Sequence, residues 1–398
     1  MNFVFISPQF PHEYWNFCDR LKRNGANVLG IGDTPYDDIA WELKNVLTEY
    51  YWVPSLENYD DVFRAVAYFS WKHGKIDWIE SNNEHWLGLD ARLRDDFNVR
   101  TGAGAEQVAV WQSKAGMKPL YAASGVPTAR QIKATTLADA EAFAKEVGYP
   151  LFAKPEKGVG AGGVAKLEDK AALKAFFARG IEEPYVIEEF VTGDICSWDA
   201  ILDSNGEVLF ENQEEFPPSM AEVVEKRLDM SYLSRPKVDP KLSALGRAAA
   251  KGFGLTSRFV HMEFFRLTAA KPGLGKRGDY VGLEVNVRPP GGFTPEMMNY
   301  AHTTDVYQIW ADMVTADGRF VPDSGNHAFC VYVGRRDGVE YVHSHDELCA
   351  RYYDQLVMVE RIPDALADDL GNQSYVARLA TPQAASAFKR FAMERKKA

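Results

Sequence analysis

Tyr280-Val281-Gly282-Leu283-Glu284-Val285-Asn286-Val287-Arg288 decides how this chain is read. Side chains of a β-strand alternate between faces, so one face of the segment carries Glu284, Asn286 and Arg288, and the other Val281, Leu283, Val285 and Val287. The aliphatic face is what a core needs, and the polar face must meet water, a partner or a ligand. Glu and Asn both supply the oxygen atoms magnesium prefers, and that ion typically takes one or two carboxylates together with the phosphates of a substrate. An arginine two residues further along the same face is placed to stabilise negative charge that develops beside the metal.

A second strand, Phe259-Val260-His261-Met262-Glu263-Phe264-Phe265, repeats the pattern and puts His261 and Glu263 on one face. For either strand alone, an amphipathic antiparallel sheet with a wet polar face is an equal reading. Two such strands, each with an acid set among apolar residues, shift the balance towards a site. The connecting Lys271-Pro272-Gly273-Leu274-Gly275-Lys276-Arg277-Gly278 is an exposed loop by its glycines and charges. His261, Arg227 and Lys226 are candidate pocket residues and, equally, ordinary core or surface ones.

Further upstream, the apolar strand Leu151-Phe152-Ala153 runs into Lys154-Pro155-Glu156-Lys157-Gly158-Val159-Gly160-Ala161-Gly162-Gly163. A loop of this kind brings backbone N–H groups to phosphate oxygens, with Lys154 reaching them from the strand end. Gly158, Gly160 and Gly163 fit the dinucleotide fingerprint, but that motif opens a helix, whereas Val164-Ala165-Lys166-Leu167 reads as a returning strand. A flexible surface hairpin is the competing reading. Tyr185-Val186-Ile187-Glu188-Glu189-Phe190-Val191 sets a strand beside two acids, able to read an adenine edge or to be an edge strand and nothing more.

The N-terminal region alternates a strand over 2–7, a helix over 13–24 and a strand over 26–31, the βαβ pattern of a parallel sheet. Its first turn, Ser7-Pro8-Gln9-Phe10-Pro11, has no glycine and so disfavours NAD. A helix over 111–124 leads through Gly125-Val126-Pro127 into a new strand. Helices are expected at 139–147 and 170–179, and strands at 328–334 and 355–359. The 398 residues divide accordingly into an α/β unit over 1–100, a pair of α+β lobes over 101–320 with a glycine-rich sub-domain at about 128–190, and a small α+β unit over 321–398.

Taken in order, these pieces resemble the ATP-grasp superfamily over roughly residues 1–320. There a lysine eleven residues before a Gly-Val-Pro contacts the nucleotide phosphates, as Lys114 is placed here, and a second ends the strand before the glycine-rich loop, as Lys154 does. The resemblance implies a loop of Gly158, Gly160, Gly162 and Gly163 over the phosphates, a hinge of Glu188, Glu189 and Val191 at the adenine, magnesium on Glu263, Glu284 and Asn286, and Arg288 as the catalytic arginine. It implies ATP and Mg²⁺, with Mn²⁺ as a substitute, and an α/β pre-domain followed by two lobes that clamp ATP. The ribose acid common after the hinge is replaced by Ile195, with Asp194 beside it as the substitute.

Composition narrows the partners. A hydrophobic fraction of 46% and a charged fraction of 25% are those of a globular chain, and no apolar run approaches the ~20 residues of a membrane span. A net charge of −11 without a basic aromatic tract argues against nucleic acid. The N-terminus reads as a strand and not a signal peptide, and the widely spaced Cys18, Cys196, Cys330 and Cys349 read as reduced thiols, so a cytoplasmic location is expected. A homodimer is compatible with all of this.

Carboxylase-like members of the superfamily follow the arginine with a Gln-Val-Glu-type segment. This chain has Pro289-Pro290-Gly291-Gly292-Phe293-Thr294, similar to the loops of carboxylate–amine ligases. The expected activity is therefore amide or peptide bond formation between a small carboxylate and an amine through an acyl phosphate, with ADP and phosphate released. An ATP-dependent carboxylase and a nucleotide-binding protein without turnover are the alternatives.

Overall fold

The structure, a computed structural model, describes residues 1–156, 163–180, 184–216, 223 and 227–396. Among them are three sheets. The first is parallel, in the spatial order Glu49–Trp52, Asn27–Gly32, Asn2–Ile6, Trp78–Glu80. Phe3, Val4, Phe5 and Ile6 are fully buried, as an unbroken apolar run must be when both faces of a parallel sheet are covered. Helix Tyr59–His73 seals one face through Val62, Val66 and Phe69. Helices Trp15–Arg23 and Val306–Ala316 seal the other, with Phe17 edge-on to Trp310 at 4.9 Å.

The second sheet is antiparallel and small: Gln131–Lys133, Tyr185–Glu189, Leu151–Pro155, Ala165–Leu167. Helices Leu137–Val147 and Lys170–Ala178 pack on it around Phe143, Leu151, Leu173 and Phe176. Ala165–Leu167 returns antiparallel to Leu151–Ala153, so the glycine-rich segment does join two strands. Gly158, Gly160 and Gly162 lie outside the described residues, as does Lys226.

The third sheet has eight strands in the order Tyr280–Asn286, Arg258–Leu267, Gly193–Leu202, Val208–Phe216, Met230–Ser234, Phe329–Arg335, Gln373–Leu379, Leu356–Arg361. It runs without interruption across residue 320, so the C-terminal strands extend the sheet that carries the two acidic strands.

Two local readings are corrected. The helix expected over 111–124 is two helices, Ala105–Trp111 and Lys114–Ala123, because the Ser113 side chain accepts from Gly116 N–H and starts a new one. The strict alternation along 280–288 is broken by a register shift: Glu263 lies opposite Glu284, but Phe264 lies opposite Gly282, leaving Leu283 as a bulge. Val285 and Val287 therefore join the cluster around Trp198 and Met262, while Val281 turns to the face of the acids and packs with Val191, Leu267 and Leu274.

Candidate active site

The register of the large sheet assembles the site. Glu284, Glu263, Ser197 and Glu214 form one cross-strand row, and Asn286, His261, Asp199 and Asn212 form the next, all on one face. Below these two rows the same face is apolar, with Ile201 and Phe259 packed beneath helix Val306–Ala316. Above them it is apolar again, through Phe265, Leu267 and Val281. A polar band two rows deep thus crosses an otherwise hydrophobic face, and Val191 sits at its upper margin with Leu267, Leu274 and Val281.

Cations approach the band from three separate elements. Lys114, at the start of its helix, places Nζ 3.4 Å from Glu284 Oε1. Lys154, nearly buried at the end of its strand, pairs with Glu188 at 2.6 Å and lies close enough to act on the charges of both Glu263 and Glu284. Arg288 stands 3.5 Å from Glu84 and also acts on Glu263.

The two facing acids differ. Burial works against the charge of Glu263, but His261, Arg288 and Lys154 outweigh it and hold the carboxyl below its usual range. Burial pushes Glu284 up; Lys114 opposes the rise and the negative Glu263 adds to it. Two carboxylates sharing one site resist ionising together, and a divalent cation between them removes that resistance. The donor set, two carboxylates and the carboxamide of Asn286, is all oxygen and suits a hard cation. Among the described residues no three His, Cys, Asp or Glu side chains enclose a metal by themselves.

The other expected residues fall as follows. The Glu188 carboxylate faces Lys154 and Lys118, which hold it ionised against its burial. Glu189 is committed elsewhere: Arg130 grips both its oxygens at 2.9–3.1 Å, Lys271 stands at 3.4 Å, and its N–H donates to Arg130 O. Asp194 is exposed and shares the strand face of Cys196 and Trp198, opposite to Ser197 and Asp199, whereas Ile195 is on the site face. The Asp194 side chain therefore does not join the band. Gly163, with φ +72°, tucks against Tyr185, whose hydroxyl donates to its carbonyl. Arg227 is exposed and lies beside Arg395.

Lys118, Glu84, Asp199 and Glu214 escaped sequence reading. Lys118 sits one helical turn after Lys114, a spacing that puts both on one helix face and was a usable signal. Glu84 follows the last parallel strand, where α/β sheets bind ligands. Asp199 and Glu214 are fully buried acids; Asp199 meets His261 and Asn212 on neighbouring strands and Ser197 on its own, and Glu214 meets Ser234 on a neighbouring strand. Burial and the nearby Asp199 push the Glu214 carboxyl well up.

No family model matches the chain. Alanine–anticapsin ligase of Bacillus subtilis is 22% identical over 251 residues, 56% of this chain and 51% of that protein. The chain thus spans about half the length of that curated relative. Among solved structures, an L-amino acid ligase from Bacillus licheniformis superposes with a TM-score of 0.71 at 15% identity, covering 98% of this chain and 96% of the other. N5-carboxyaminoimidazole synthetase from Staphylococcus aureus also gives 0.71, at 13% identity over 98% and 97%.

Proposed function

We propose that this chain, whose fold is that of the ATP-grasp proteins, is an ATP-dependent carboxylate–amine ligase. The observation that carries the reading is the convergence of Lys114, Lys154 and Arg288, from three separate elements, on the cross-strand pair Glu263 and Glu284. Acids that face each other among cations are the arrangement a triphosphate and its counter-ion require, because phosphoryl transfer depends on neutralising spread-out negative charge.

In this reading Val191 and the apolar margin receive the adenine, and Lys154 exchanges its contact with Glu188 for the phosphates. Glu263, Glu284 and Asn286 would hold Mg²⁺, which would help to neutralise the negative charge of the phosphates. Lys114, its Nζ 3.4 Å from Glu284 Oε1, faces the same phosphates. A substrate carboxylate oxygen attacks the γ-phosphorus and ADP leaves. The amine nitrogen then attacks the acyl carbon and phosphate leaves. Arg288 is placed to steady the oxyanion, together with the backbone at Gly291, where a side chain would meet nothing within 4 Å. The substrates are small molecules, and the alanine ligase and amino-acid ligase relatives make amino acids the first candidates. The four free cysteines and the absence of any described helix long and apolar enough to cross a membrane support placement in the cytoplasm. We further divide the chain into an α/β unit to about residue 100 and α+β lobes beyond it, with 321–398 a sequence unit whose strands complete the large sheet.

The test is incubation of the pure protein with ATP, Mg²⁺ and pairs of amino acids. ADP and phosphate released in equal amounts with a ligated product are expected. AMP as product refutes the reading, and ADP release that needs bicarbonate but no amine replaces it with a carboxylase.

A further inference from the structure

His261 is held at both ring nitrogens. Nδ1 is 2.5 Å from Asp199 Oδ1, and Nε2 is 3.5 Å from Glu263 Oε1. Asp199 is fully buried and has no freedom of its own, because its second oxygen accepts from Ser197 Oγ at 2.9 Å and from Asn212 Nδ2 at 3.2 Å. The Asn212 oxygen in turn meets His302 Nε2 at 2.9 Å, and His302 Nδ1 lies 3.1 Å from His327 Nδ1. A continuous chain of hydrogen-bonding side chains therefore runs across the strands and ends on one carboxylate of the acidic pair.

Such a chain is costly where it lies. Each polar group withdrawn from water must find a partner or lose free energy, and the rows on either side of it are filled with Phe, Ile, Leu and Val. Apolar side chains would fill these positions at lower cost, so stability alone does not account for them. What the chain does accomplish is geometric. Glu263 and Glu284 face each other in register, and two like charges so placed tend to rotate apart. An imidazole fixed from behind restrains one oxygen of Glu263.

We propose that Asp199 and His261 are positioning residues: Asp199 orients the imidazole, and the imidazole orients Glu263 to receive the divalent cation carried by the nucleotide. The proposal rests on the reading of Glu263, Glu284 and Asn286 as the cation ligands. It assigns no contact with substrate to either residue. Partners that orient a metal ligand from behind typically contribute about 10- to 100-fold to metal affinity.

The experiment is a titration of Mn²⁺ in the presence of ADP, followed by electron paramagnetic resonance, on the parent protein and on Ser197→Ala, Asp199→Asn and His261→Gln. ADP binding in EDTA is measured alongside. Asp199→Asn and His261→Gln are expected to weaken Mn²⁺ binding about 10- to 100-fold, with metal-free ADP affinity within about twofold of the parent, because the base and ribose contacts are untouched. Ser197→Ala, which deletes one hydroxyl, is expected to weaken it about threefold and keeps the test readable if the other two variants fail to fold. Mn²⁺ affinity unchanged in every folded variant overturns the proposal, and so does equal loss of metal-free ADP binding, which marks general damage. A parent protein that binds ADP but no Mn²⁺ overturns this proposal together with the assignment of the cation ligands, and is thereby told apart from failure of the positioning role alone.

Discussion

Charge balance at single side chains governs what this site can do. Glu284 is raised by burial and by Glu263, and it has Lys114 within 3.4 Å. Replacement by Gln keeps the shape and removes the negative charge of a proposed cation ligand, which at several kcal/mol of lost charge stabilisation is expected to lower ATP turnover by about 100-fold or more. Initial-rate measurement of ADP release checks it. Lys118 offers a subtler case: it and Lys154 share the Glu188 carboxylate. A hydrogen bond to a charged group contributes about 1.5–3 kcal/mol, so Lys118→Met is expected to raise the KM for ATP roughly 10- to 100-fold, with a smaller effect on kcat. Away from the site, burial pushes Glu296 up to about 8 while the Tyr307 hydroxyl donates to it. In the unfolded chain this carboxyl titrates near 4.5. Its contribution to stability is therefore complete below that pH and lost as pH rises towards 8. Urea unfolding midpoints are expected to fall across that window and to fall less in Glu296→Gln. Glu263, Glu284, Asn286 and Lys154 were expected from strand alternation and loop composition, which act locally, and Lys114 only from its spacing to Gly125-Val126-Pro127 in the family resemblance. Asp199 and Glu214 were not, since an acid inside an apolar strand signifies nothing until its neighbours across the sheet are known.

At the scale of elements, register does what periodicity alone does not. The bulge at Leu283 sends Val281 to the face of the acids while Val285 stays on the opposite one, and the local sign of it is Gly282, a glycine inside a strand. The break between helices at Ser113 was a capping signal open to reading, and it places Lys114 at a helix start, where the chain is anchored by its N–H to Glu156 O. Packing between elements is tight enough to test. Gly246, in helix Pro240–Gly252, lies where a Cβ would come within 2.2 Å of the fully buried Trp198 ring. Alanine raises helix propensity by about 1 kcal/mol, but overpacking costs about 1–3 kcal/mol, and a ring enclosed on both faces has no room to retreat. Gly246→Ala is expected to lower the chemical unfolding midpoint, with far-UV circular dichroism of the native state unchanged.

For the whole molecule, helix Val306–Ala316 is the joint. Trp310 stacks edge-on against Phe3 at 5.7 Å and Phe17 at 4.9 Å, while its neighbours reach Ile201, Phe210 and Phe259 of the large sheet. Trp310→Ala is expected to cost about 3–5 kcal/mol and to split the unfolding of the parallel sheet from that of the antiparallel one, visible as two transitions by calorimetry. The presence of a parallel sheet followed by antiparallel lobes was legible from the chain, as were the strands near 330 and 357. Their membership of the central sheet was not, because pairing between strands a hundred residues apart leaves no local trace. That continuity has a practical outcome. A fragment ending near residue 320 would strip Met230–Ser234 of its neighbour and leave a buried, five-residue rim of bare amides and carbonyls facing outward. Such a shortened product is expected to clump with its own kind when made in cells, which the share of it found in the insoluble fraction would measure.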